Sequence, residues 1–505
     1  MKALTIVLAR HRVLGVYLAI SLVAIVWNLL TMSYSLPWCD EVMLTDISAN
    51  KHFWGEWATK AYNDYGEGTI PFCTYFPLHT WLAYAWMGIV GFSFLKMRML
   101  SLLMAAILGG VILRLARQVL SKPVGICSAV IFSIGFWFSD VMMNIYRMNR
   151  PEMEGAMMVT LFALYLVKTV REGKVYCWQL LLFSMLAIMA GVQSALCIVL
   201  GLVFYAFFVR PVRKLLQPAC LAVIGVFLGV VVSFFYMWCF GEAKGFAIAI
   251  MNSSATVMKL WGVVRDTIYP LLGKETSPLA LPAAGDVSFL GKLLRVFDYF
   301  SLVVLTVASV LLALVNKAWK RTGQARGGAY FLLFTLFVVV CYNLAGRYTT
   351  YYMWTAALPL LFSLLLWCEG GKVKVNRAVA GLAMVIVAVQ GVARYQVSGD
   401  DTPVARVRAF VERQSFKPTD KVAVPFCTFY AVKPQLRDAY FYQIYPQNLM
   451  GEMDYVILQK RGRYEDYGME GMQKYVDALR ERYTLVQKDA CHDPNLILYK
   501  LIPKQ

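Results

Sequence analysis

Long runs of apolar residues with few charges constrain this chain more than any other feature. They lie at approximately 13–32, 77–95, 98–117, 123–139, 152–170, 176–191, 194–209, 217–240, 298–316, 328–344, 348–367 and 376–396. A run of about 18 or more such residues predicts a helix that crosses a bilayer. In lipid each backbone amide must find its partner inside its own segment, which favours helices. The alternating pattern of a membrane barrel is absent. Composition agrees: 59% of the 505 residues are hydrophobic and 16% charged, against roughly 45–50% and 25% in a soluble domain.

The net charge of +19 is spread in a way that argues against nucleic acid. Much of the excess Lys and Arg sits in short loops between apolar runs, the pattern that orients membrane proteins. Six clusters recur: Lys2, Arg10 and Arg12; Arg114, Arg117 and Lys122; Lys168, Arg171 and Lys174; Arg210, Arg213 and Lys214; Lys317, Lys320, Arg321 and Arg326; Lys372, Lys374 and Arg377. All six are expected in the cytoplasm. Two cytoplasmic clusters are joined by an even number of crossings, yet three apolar runs separate Arg12 from Arg114. One of these runs therefore does not cross. The best candidate is 77–95, which carries Trp81, Tyr84 and Trp86 and suits the membrane interface. The stretch 176–209 must cross twice, turning near Gly191-Val192-Gln193-Ser194.

The expected fold is a polytopic α-helical membrane protein with about eleven crossings (eleven to thirteen), N-terminus inside and C-terminus outside. The first helix follows Arg10, His11 and Arg12 without a convincing cleavage site and is read as retained. The expected setting is the inner membrane of a bacterium. Residues 1–396 form the membrane domain, with outer loops 33–97 and 241–297. These loops are rich in Trp, Tyr and apolar residues, which argues against disorder. Residues 397–505 read as a small extracytoplasmic α/β domain. Helices are expected at 403–414 and 466–482, and strands at 422–424, 454–458, 483–488 and 495–501. This domain either docks an acceptor or packs as a lid on the membrane part.

Of the eleven cysteines, many lie inside apolar runs and read as small buried hydrophobes. Cys39 with Cys73, and Cys427 with Cys491, lie in regions where disulfides are chemically allowed.

Three outer clusters carry candidate chemistry. Pro37-Trp38-Cys39-Asp40-Glu41 places two carboxylates directly after the first helix. Near lipid a carboxylate can be partly desolvated, which suits a general base. A plain helix cap explains Asp40 equally well. Arg147, Asn149, Arg150, Pro151 and Glu152 stand at the mouth of the run 152–170. Here too a structural account exists, because a helix N-terminus favours an acid. Gly346-Arg347-Tyr348 with Tyr351 and Tyr352 forms the third. An arginine there suits a phosphate, which guanidinium binds with two parallel hydrogen bonds. A snorkelling arginine in an aromatic belt is the alternative. His52 and His79 have no metal-binding spacing, and no metal site is expected.

Together these features resemble the C-type glycosyltransferases that use polyprenyl phosphate donors. The nearest kinds are the protein O-mannosyltransferases and the lipid A aminoarabinose transferases. The resemblance rests on Asp40-Glu41, Phe76-Pro77-Leu78-His79-Thr80-Trp81, Gly91, Ser93, Arg98 and Ser101, Arg150-Pro151-Glu152, and Arg347-Tyr348 before Pro359-Leu360. The chain departs from the family pattern at Phe76, where proline is usual, and at Glu152, where aspartate is common. The resemblance implies inverting transfer of a sugar from a polyprenyl phosphate to an acceptor hydroxyl on the extracytoplasmic face. Asp40, with Glu41 as fallback, would be catalytic. Arg347, Tyr348, Arg98, Arg150, Glu152 and His79 would bind substrate. No cofactor is required on this reading. The partners are the lipid-linked donor, a lipid, glycan or protein acceptor, and the bilayer. A transporter or flippase is the rival from another class, but no internal repeat is found and the charges cluster at helix ends. A metal-dependent oligosaccharyltransferase of related fold is the second rival.

Overall fold

The computed structural model describes residues 2–59, 77–120, 122–208, 216–240, 300–318, 324–344, 352–395, 402–437, 439–442, 453–459, 469–492 and 495–504. The loop 241–297, Cys73, Phe76, Arg347, Tyr348 and Tyr351 lie outside the described residues. The chain is a bundle of apolar helices followed by a small mixed sheet.

Among the described residues, five helices are long and apolar enough to cross a membrane: Arg12–Met32, Phe94–Leu120, Glu152–Glu172, Leu216–Phe240 and Val373–Ala393. A sixth candidate is a bent pair, Ile126–Phe138 and Asp140–Tyr146, which meet at 61°. Shorter apolar helices, including Cys177–Ala190, Phe300–Val315 and Trp354–Glu369, pack among them. Leu22 (63%), Val23 (64%) and Phe227 (65%) point outward, as side chains that meet lipid do. The protein is therefore a multi-pass membrane protein.

The site is built by α1 (Lys2–Met32), α2 (Cys39–Trp54), α3 (Pro77–Val90), α4 (Phe94–Leu120), α5 (Ile126–Phe138), α6 (Asp140–Tyr146) and α7 (Glu152–Glu172). Asp40 and Glu41 stand in the first turn of α2 and Lys51 and His52 in its last, each sign at the end where the helix dipole favours it. Gly55 closes α2 at φ +82, a left-handed geometry that glycine adopts without strain. With 14 residues, α3 is about 21 Å long and too short for a core of about 30 Å. Gly91, at φ +80, turns the chain from α3 into α4.

Residues 140–151, between the apolar runs 123–139 and 152–170, begin with the helix α6. Its seven residues include Val141, Met142, Met143 and Ile145, all buried. They pack into the main apolar core, which outweighs the local polarity of Asp140 and Asn144.

In the C-terminal sheet, β1 (Val422–Val424), β2 (Ala439–Phe441), β3 (Tyr455–Gln459), β4 (Tyr483–Cys491) and β5 (Leu496–Pro503) lie in the order β2-β1-β3-β5-β4. β1 runs parallel to β2 and β3, whereas β5 is antiparallel to β3 and β4. The helices fall at Pro403–Glu412 and Met469–Arg482. Thr402 caps the first by accepting from the Ala405 amide at 3.1 Å. Cys427 and Cys491 are free thiols. Phe410, Phe426 and Phe429 of this domain share one apolar cluster with Val42 and Ile47 of α2, Met87 of α3 and Met97 of α4. The sheet domain is thus seated directly on the helices that carry the candidate site.

Candidate functional site

Glu41 and Asp40 are neighbours in sequence and strangers in environment. Successive helix residues point about 100° apart, so the two carboxylates leave α2 in different directions. Glu41 is fully buried. Its oxygens accept from Arg98 Nε at 2.8 Å and Arg98 Nη2 at 2.7 Å, and Oε1 also accepts from the Asn149 amide at 3.1 Å. Arg98 Nη1 donates to Ser35 Oγ at 2.9 Å, and its guanidinium lies 4.0 Å from the Phe94 ring. Glu41 therefore joins α2 to α4 and to the corner before α7.

Asp40 keeps 32% of its side chain exposed. Its Oδ2 accepts from Arg150 Nη1 at 2.7 Å. Arg150 Nε and Nη2 meanwhile donate to Glu152 at 3.1 and 2.9 Å. Pro151 sits at the N-cap of α7, where its missing amide proton costs nothing. That start places Glu152 beside the guanidinium of Arg150. Cys39 Sγ lies 3.5 Å from Asp40 Oδ1. Burial first, then the Asp40 charge, push the Cys39 thiol up to about 12. It stays protonated at neutral pH and does not compete as a nucleophile.

His79 pairs with Glu154, Nδ1 to Oε1 at 3.0 Å, with both side chains buried. Its Nε2 and Glu154 Oε2 have no hydrogen-bond partner among the described residues. Glu154, in the first turn of α7, was not singled out from sequence. It lies two residues beyond the Arg-Pro-Glu element, the one signal available.

The structure thus joins Asp40, Arg150 and Glu152 in one hydrogen-bonded group and Glu41 with Arg98 in a second, adjacent along the chain. It sets His79 in a separate pair with Glu154. Arg98 and Arg150, expected to bind substrate, each meet carboxylates. Arg147, of the same cluster, is buried with hydrogen bonds from Nη1 to Asn28 Oδ1 at 2.8 Å and Thr31 Oγ1 at 2.7 Å.

The C-terminal domain closes over α2. Lys433 Nζ is fully buried and lies 2.8 Å from Asp46 Oδ1. It also donates to Asn50 Oδ1 at 3.0 Å. Tyr430 stacks on Phe92, with ring centroids 5.3 Å apart. Burial, and then the Glu41 charge, push its phenol well above the usual tyrosine range. Elsewhere, an apolar cavity of about 470 Å³ opens between the membrane helices, lined by Leu115, Leu166, Phe331, Phe334, Trp354 and Leu358 among others. Among the described residues, no group of three or more His, Cys, Asp or Glu side chains is arranged to hold a metal ion.

Residues 74–238 match the family described as dolichyl-phosphate-mannose-protein mannosyltransferase. No curated protein sequence matches the chain. Among solved structures, the apo oligosaccharyltransferase of Archaeoglobus fulgidus aligns with a TM-score of 0.52 at 10% identity, over 93% of this chain and 73% of that one. The same protein in complex with Zn and sulfate gives 0.50 at 11% identity, over 96% and 72%. Apo ArnT from Cupriavidus metallidurans gives 0.44 at 14% identity, over 96% and 97%. The chain has the fold of the C-type glycosyltransferases. The family match over 74–238 and the shared fold bear out the resemblance read from the sequence.

Proposed function

We propose that this protein transfers a sugar from a polyprenyl phosphate to an acceptor hydroxyl, with inversion, and that Asp40 is the general base. One observation carries the choice of residue. Of the acids in and beside the two groups, Asp40 alone is open: its side chain is 32% exposed, against 0% for Glu41, 2% for Glu152 and 0% for Glu154. A base must reach the proton it removes. On this reading Arg150 orients Asp40, while Glu41 and Arg98 hold the frame.

The step balances simply. The acceptor O–H proton passes to Asp40 and the acceptor oxygen bonds to the anomeric carbon. The bond from that carbon to the phosphate oxygen breaks, and its electron pair leaves with the polyprenyl phosphate. Arg347 and Tyr348 belong to the donor site on this account. The apolar cavity is of a kind that takes an isoprenoid chain. The site faces the extracytoplasmic side of a bacterial inner membrane, on the same side as residues 397–505. Transfer requires no divalent ion.

A transfer assay tests this with purified protein, synthetic polyprenyl phosphate sugars and a panel of hydroxyl acceptors. Sugar transfer that persists in excess chelator is the expected result. Transfer that stops on chelation and returns with a divalent ion would move the mechanism to the metal-dependent kind. No transfer from any such donor, with uptake of lipid or solute instead, would reject the enzyme reading.

A further inference from the structure

Three arginines of this protein are buried among the described residues: Arg98, Arg147 and Arg150. Arg98 has Glu41, and Arg150 has Asp40 and Glu152. Arg147 has no carboxylate among the described residues. Its Nη1 donates to two neutral oxygens, those of Asn28 and Thr31. The Tyr395 ring covers one face at 3.9 Å. Its Nη2 is buried and has no hydrogen-bond partner among the described residues. The charged groups that bear on it are Arg98 and Arg394, both of its own sign.

Such an arrangement is costly. Taking one ion out of water costs several kcal/mol unless an opposite charge compensates it. The α1 end, the α6–α7 corner and Tyr395 fix the guanidinium in place without neutralising it. Two residues on, the Asn149 amide binds Glu41, and Arg150 binds Asp40. The uncompensated cation therefore belongs to the same corner as the open carboxylate.

We propose that Arg147 is the seat of the phosphate of the lipid-linked donor, and that this phosphate supplies the missing negative charge. The inference rests on the glycosyltransferase reading and deepens it. Nη2 presents two N–H donors to phosphate oxygens, and charge-assisted bonds of this kind are the strong ones. The interaction grows as the sugar leaves and the phosphate gains charge.

The test is direct binding to the full-length protein in detergent. The probes are a polyprenyl phosphate without sugar, inorganic phosphate and phosphatidylglycerol, with the melting temperature read in parallel. Wild type should prefer the polyprenyl phosphate. Arg147→Gln, which keeps a donor but no charge, should weaken that binding at least tenfold without lowering the melting temperature. A purely structural arginine would behave oppositely, losing stability and leaving the affinity of the folded fraction unchanged. If Arg147→Gln does not fold, Arg147→Lys decides. It keeps the charge and loses the fork, so weaker binding at unchanged stability supports the proposal. Wild-type affinity in either folded variant overturns it. Equal, Arg147-dependent binding of phosphatidylglycerol also overturns it, because the anion is then a bulk lipid headgroup. If wild type binds no polyprenyl phosphate at all, the glycosyltransferase reading fails as well. Binding that ignores Arg147 sinks only this inference.

Discussion

The carboxylates of α2 carry charge in two opposite ways. Glu41 and Asp46 are buried against Arg98 and Lys433 at 2.7 and 2.8 Å. Asp40 meets Arg150 at the same 2.7 Å yet stays a third exposed. The buried pairs have both partners desolvated, so removing one leaves a charge stranded. The open pair can lose its carboxylate charge with little structural cost, because water reaches it. One helix therefore separates anchoring from chemistry across a single step in sequence.

The comparison is broken most severely from the buried side. Glu41→Ala strands Arg98 and should cost about 3–5 kcal/mol, since an uncompensated buried charge is the result. Chemical denaturation in detergent measures it, and a loss below about 1 kcal/mol would mean the pair is not buried as described. Lys433→Met strands Asp46 and should cost a similar few kcal/mol. Adding Asp46→Leu to that variant should recover much of the loss. Failure of the double variant to recover would show that Lys433 matters through Asn50 instead.

Smaller effects sharpen the comparison. Arg98→Lys keeps the charge but loses the two-pronged contact with Glu41, and should cost about 1.5–3 kcal/mol, the range for hydrogen bonds to charged groups. Gly91→Ala should cost about 1–2 kcal/mol, because φ at +80 is strained for any residue with a Cβ. Its neighbour at 3.2 Å is the mobile end of Lys96, which can move aside.

How much of this was legible in the sequence follows from range. Membrane helices announce themselves locally through their apolar runs, but where a run breaks does not: the run at 77–95 is divided at Gly91, which ends α3 after 14 residues. The Asp-Glu step and the Arg-Pro-Glu step were visible as motifs. Their pairing was not: Arg98 lies 57 residues from Glu41, and Arg150 lies 110 from Asp40. Lys433 is 383 residues from Asn50, and nothing near it marks it as buried. β2 has only three residues, too few for a periodic signal. Arg147 stood in a candidate cluster without a role of its own, because an arginine at a membrane surface is ordinary. Only its burial, and the acceptors around it, make it unusual.

On the proposed mechanism Asp40, and not its neighbour, accepts the proton. The measurement is the sugar-transfer rate of Asp40→Asn with its unfolding temperature measured on the same sample. Loss of a general base typically costs about 10²–10⁴-fold in rate. The account predicts a fall of that size with an unfolding temperature close to wild type. Near-wild-type turnover in Asp40→Asn would contradict it.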